Sequence, residues 1–244
     1  SLVVEGGTLD LIATAGDGLA SDQEDDDTAG YVLVAGGSLS IESGDDAIQA
    51  ATDTIVTGGD IVASATDHAI QGGQILSIGG GSIAIDASNE GLQAISIGIF
   101  GGDIDITASD DGINAAGLNA GGTDRESDSG ERLEISGGSI TIDAGNDGLD
   151  SNGTITVSAG EVAITSAANG GDGPLDGNGT VTIAEGTVTA NGELIDPEQT
   201  GQTAGGPGGM DGAPGQAPDG GFPGGGTDSG GERTAPQGGG QPNA

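Results

Sequence analysis

The sequence predicts an all-β fold, a right-handed single-stranded parallel β-helix of about eight coils of roughly 22 residues each, followed by a disordered Gly/Pro-rich C-terminal tail. Glycine pairs recur at positions 6, 36, 58, 80, 101 and 137, with weaker equivalents at 159 and 185, so the intervals are 30, 22, 22, 21, 36, 22 and 26. Between the pairs apolar residues alternate with polar ones. Composition agrees: 54 glycines with one tyrosine and two phenylalanines require a chain that turns often around an aliphatic core.

The clearest copy of the repeat is Gly-Gly-Ser-Ile-Thr-Ile-Asp-Ala-Gly-Asn-Asp-Gly-Leu-Asp, residues 137–150, with others at 36–49, 58–71, 80–93 and 101–114; 6–20 fits with one adjustment. The pairs Leu39/Ile41, Ile83/Ile85, Ile104/Ile106 and Ile140/Ile142 have the period of two that marks a strand with one buried face. A single such strand cannot bury that face. Stacking its equivalents about 4.8 Å apart satisfies the backbone above and below and closes a continuous core. The glycine pairs then belong at corners, where positive φ or a sharp bend penalises a side chain. The 30- and 36-residue intervals carry the acidic run 21–27 and the segment from Ala116 to Glu131, expected as loops leaving the same corner after the acidic turn. From Asp196 onward Gly, Pro, Gln and Ala replace the apolar period, which predicts a helical domain over 1–195 and a disordered tail over 196–244. The chain opens on an apparent strand, Leu2-Val3-Val4, without a signal peptide or an apolar run of spanning length, as expected of a processed or excised piece.

Thirty-nine acidic against three basic residues give a net charge of −36, and there is no lysine. Nucleic acid and anionic membranes are thereby excluded as direct partners, membrane insertion is not expected, and cations are the natural ligands. Self-repulsion favours a monomer. The absence of cysteine removes disulfides and thiolate metal sites.

Aligned on the repeat, the acidic turns form a column of Asp17, Asp46, His68, Glu90, Asp111, Asp147 and Asp172, preceded by Gly16, Asp45, Asp67, Asn89, Asp110, Asn146 and Gly171. Three residues on lies a second column, Ala20, Gln49, Gln71, Gln93, Asn114, Asp150 and Asp176. Carboxylates stacked about 5 Å apart repel one another unless they are protonated or share a cation, and hard oxygen donors favour Ca²⁺. Asp147, Asp150 and Asn152, with Asp172, Asp176 and Asn178, are the densest oxygen groups. The plainer reading is that Asp, Asn and Gly simply make good turns through Asx hydrogen bonds and left-handed backbone angles. Neither a 12-residue calcium loop nor a nine-residue calcium repeat fits the period.

The Gly-Gly-Ser-Ile-x-Ile strands and the Asp-Asp-Gly-Ile or Asn-Asp-Gly-Leu turns resemble those of bacterial secreted carbohydrate-binding domain proteins, known from cellulolytic clostridia. That resemblance implies a calcium-containing parallel β-helix that binds acidic plant polysaccharide and cellulose, outside the cell or at its surface. It makes Asp45, Asp46, Asp110, Asp111, Asn146, Asp147 and their neighbours, among them Asp17 and Glu90, calcium ligands. His68 and Glu90 depart from the aspartate of this turn, and His68 reads as a plain turn residue. The function expected is non-catalytic, calcium-dependent binding of a polygalacturonate-like polymer. A structural or adhesive rod stapled by calcium would share every one of these features. A polysaccharide lyase would need a base beside the metal, and the domain offers only Arg125 and Arg132.

Overall fold

The computed structural model describes residues 1–23, 29–117, 127–167 and 172–197. The expected tail therefore lies outside the described residues, apart from its first two positions. The described chain is a parallel β-helix with three strands to a coil. The first face runs from Leu2–Val4 through Val32–Val34, Asp53–Val56, Ile75–Ile78 and Ser96–Ile99, then the leading halves of Arg132–Ala144 and Thr154–Thr165, to Val181–Ile183. The second runs from Thr8–Ala13 through Ser38–Ser43, Asp60–Ser64, Ser82–Ala87 and Asp103–Ala108, then the trailing halves of the same two long strands, to Val188–Ala190. The third stacks Leu19–Ser21, Ile48–Ala50, His68–Gly72, Glu90–Ala94, Ile113–Ala115, Leu149–Ser151 and Leu175–Gly177.

The register reproduces the intervals read from the glycine pairs. Leu2 pairs with Val32, Val32 with Thr54, Thr54 with Leu76, Leu76 with Ile97, Ile97 with Leu133, Leu133 with Ile155 and Ile155 with Val181, all in parallel. Burial explains why this register holds. Ile48, Ile70, Leu92, Ile113 and Leu149 stack in succession on the third face, each with no exposed surface, and a slip by one residue would turn the whole column outward. Each such side chain contributes about 1.5–3 kcal/mol of burial.

Glycine has two separate jobs here. The second residue of each pair, from Gly7 and Gly37 to Gly160 and Gly186, has φ between 80° and 108°, a region that costs an L-residue roughly 1–2 kcal/mol. The glycine of the acidic turn is different. Gly18, Gly112 and Gly148 do not have positive φ; a Cβ on Gly112 would instead collide with Ile142 Cγ2 and the carbonyl of Gly148. The Asp-Gly-Ile turns thus owe their glycine to close packing between coils, not to left-handed backbone.

The two long loops attach where expected, between a third-face strand and the next first-face strand, although 24–28 and 118–126 lie outside the described residues. The 26-residue interval arises elsewhere, inside the turn between Thr165 and Leu175. After Val188–Ala190 the chain reverses through Asn191 (φ 49°) and Gly192 (φ 85°), and Glu193–Leu194 pairs antiparallel with the strand just left. No helix of the described residues is long and apolar enough to cross a membrane.

Candidate metal and ligand face

The outward side of the third face and the turn that precedes it carry the two columns. Pairing across strands places Ala20, Gln49, Gln71, Gln93, Asn114, Asp150 and Asp176 in one line, as read from the sequence. These residues alternate with the core positions of their strands, yet Gln71, Gln93 and Asn114 are only 6–8% exposed. Gln71 Nε2 lies 3.2 Å from His68 Nδ1.

In the turn column, each aspartate accepts a hydrogen bond from the backbone N–H of the residue above it. Asp46 donates to Asp17 Oδ1 at 3.2 Å, His68 to Asp46 Oδ1 at 2.9 Å, and Asp147 to Asp111 Oδ1 at 3.0 Å. The Asx bonds are therefore rungs between coils, not local turns. They occupy one acceptor position of Oδ1 and leave each carboxylate further acceptor capacity for a cation.

One register assignment changes. The residue above Asp147 is Gly173, whose N–H donates to Asp147 Oδ1, while the N–H of Ala167 donates to the carbonyl of Asn146, so exposed Asp172 falls neither in this column nor in the one that precedes it. The extra residues of this turn enter ahead of the column, a placement the sequence does not reveal. Asp45, Asp110 and Asn146 belong to that preceding column, where the Asn146 amide donates to Asp110 Oδ1. Asn152 lies past the third-face strand and accepts from the Asn178 amide at 3.3 Å.

Among the described residues two groups bring ligand atoms within 4.8 Å of one another: Asp147 with Asp150 and Asp176, and Asp46 with Asp67 and His68. The first is all oxygen. Burial above all, reinforced by Asp111, Asp147 and Asp176, raises the Asp150 carboxyl to about 8. Burial and the neighbouring acids likewise raise Asp111 to about 7 and Asp147 to about 6, while backbone N–H donors pull each back. Burial also pushes Asp17 and Glu90 up. Paired with Asp150 in the register is Asn114, 8% exposed, whose Oδ1 is enclosed and has no hydrogen-bond partner. A buried acceptor lacking a donor, one rung from Asp150 of the carboxylate cluster, fits a hard divalent ion coordinated through oxygen.

The second group joins residues that the sequence columns set side by side without marking them as a metal group. His68 reads there as a turn residue, but its ring sits among Asp46, Asp67 and Glu90 and forms ion pairs with them when protonated. Burial opposes the charged imidazole, yet the Asp46 hydrogen bond and the three carboxylates together hold its pKa above the usual value.

The parallel β-helix thus carries a line of acids and amides along one face. Residues 1–112, somewhat less than half of the chain, match a family model described as carbohydrate-binding domain-containing protein. No curated protein and no solved structure matches the chain. The matched stretch includes Asp46, Asp67, His68, Glu90 and Asp111 and ends before Asp147, Asp150 and Asp176.

Proposed function

We propose that the protein is a non-catalytic module that binds an acidic, polygalacturonate-like polysaccharide through calcium, outside the cell or at its surface, as a monomer. The observation that carries this reading is the Asp147, Asp150 and Asp176 cluster with the unpartnered Asn114 oxygen beside Asp150. Two polyanions repel, and a net charge of −36 makes direct contact with a uronate polymer unfavourable. Asp147, Asp150 and Asp176 would hold the ion, which when bound accepts oxygens from both the protein and a sugar carboxylate. Asp111 adds negative potential from the coil below, and Asn114 supplies a neutral oxygen that does not add to the repulsion. The backbone rungs through Asp111 and Asp147 fix the carboxylates before any ligand arrives, so little ordering is lost on binding. A neutral glycan would be gripped chiefly by aromatic stacking, for which a chain without tryptophan is poorly equipped.

Retention on immobilised polygalacturonate, compared in calcium and in chelator, tests this. Calcium-dependent retention abolished by Asp150→Asn is the expected result. Equal retention in chelator removes the bridging role. Loss of retention with calcium stabilisation intact would instead favour a structural rod, a reading supported by the carboxylate rungs that already tie one coil to the next.

A further inference from the structure

We propose that Asp46, Asp67 and His68 form a second cation site that takes a borderline divalent ion of the zinc class and is chemically distinct from the all-oxygen cluster. Three contacts converge on one ring nitrogen. His68 Nδ1 lies 2.9 Å from Asp46 Oδ1, 3.6 Å from Asp67 Oδ2 and 3.2 Å from Gln71 Nε2. A carboxylate accepts only and an amide nitrogen donates only, so a single Nδ1 cannot satisfy both Asp46 and Gln71 as they stand. A cation between Nδ1 and the two carboxylates would take the nitrogen lone pair and an oxygen from each acid, with the Gln71 amide turned so that it no longer donates to Nδ1.

The spacing suits a small ion. Ligands at 2.0–2.1 Å around a tetrahedral centre lie about 3.3 Å apart, and the two carboxylate contacts of 2.9 and 3.6 Å bracket that edge. Calcium would need six to eight oxygens at longer range, whereas imidazole suits zinc, copper and nickel.

The far side of the ring supplies the second, independent observation. Glu90 Oε2 is enclosed and has no hydrogen-bond partner, and it lies 3.7 Å from His68 Nε2. A metal-bound histidine commonly directs its other N–H to a carboxylate, which fixes the tautomer and strengthens the ligand. Glu90 is thus a positioning residue for His68. On the same strand Gln93, 6% exposed and one rung above Gln71, also holds an Oε1 with no partner.

The test uses the untagged full chain, saturated with Ca²⁺ and titrated with Zn²⁺. The sequence has one histidine, so its imidazole proton resonances report this site without assignment ambiguity. One zinc ion that shifts those resonances, with affinity at least tenfold weaker in His68→Gln while the calcium-dependent rise in unfolding midpoint persists, is the expected result. If His68→Gln does not fold, Asp67→Asn at the half-exposed ligand must show the same tenfold loss. Unmoved imidazole resonances, unchanged zinc affinity in the variant, or displacement of zinc by calcium ion for ion would each overturn the site.

Discussion

The coils carrying Asp46, His68 and Glu90 and those carrying Asp111 and Asp147 share one backbone plan and differ in what lies three residues on. In the earlier coils Gln49, Gln71 and Gln93 line the third face; in the later ones Asn114 gives way to Asp150 and Asp176. The amides leave the earlier coils with a single column of charge, which one histidine partly compensates. Replacing amide by carboxylate doubles the column there, and burial above all, reinforced by neighbouring acids, holds Asp111, Asp147 and Asp150 at between about 6 and 8. The difference teaches that a repeat scaffold tunes its ligand chemistry at a position outside the core, where an Asn-to-Asp change costs no packing.

Calcium should produce the largest effect and should draw it from the later coils. At a thousandfold excess over its dissociation constant a ligand adds about 4 kcal/mol, roughly 10 °C in unfolding midpoint for a domain of this size. Asp150→Asn should abolish most of that rise and Asp46→Asn little of it, and an equal loss in both would erase the distinction. Next in size, Ile70→Ala and Ile106→Ala should each cost about 3 kcal/mol, alike in calcium and in chelator, since the two positions are equally buried. Denaturant midpoints in both buffers check this.

The third effect is one of pH. With folded carboxyls at about 6, 7 and 8 against a reference of 3.8, the chelated folded state holds more protons than the unfolded state between those values. Its stability must therefore fall as pH rises through that window. Calcium displaces those protons, so its stabilising effect should be small at pH 5 and large at pH 8. In chelator, Asp150→Asn should be more stable than the parent at pH 8, by a margin that shrinks as pH falls to 5 and disappears only below the ordinary carboxylate value of 3.8. Thermal unfolding of both proteins at the two pH values decides it. Smallest of all, Gly59→Ala should cost about 1–2 kcal/mol, because its φ of 108° disfavours any side chain, with no change in calcium response.

Much of the fold was legible because glycine and isoleucine repeat in sequence as they do in space. Each corner glycine marks one coil, and the intervals between pairs became the strand register. The second column, from Ala20 to Asp176, was equally legible because its spacing from Leu19, Ile48 and their equivalents is fixed along a strand. What escaped were relations across coils. Asp172 could not be told from Gly173 as the partner of Asp147, because nothing local says on which side of the turn an insertion enters. His68 reads as a turn residue because the column alignment sets Asp46 and Glu90 beside it without saying that its ring turns between them. The Asn191-Gly192 dipeptide, by contrast, is a plain hairpin signal in the sequence.

That hairpin sets how many coils this face can count. A parallel ladder grows only if the chain returns to the same side and runs the same way again. By reversing direction at Asn191, the protein lays Glu193–Leu194 against the last strand of the second face, on the edge where a ninth coil or a strand of another molecule would dock. Two residues of turn thus act as a punctuation mark, ending the repeat on that face and sealing one of its three edges against templated fibre growth.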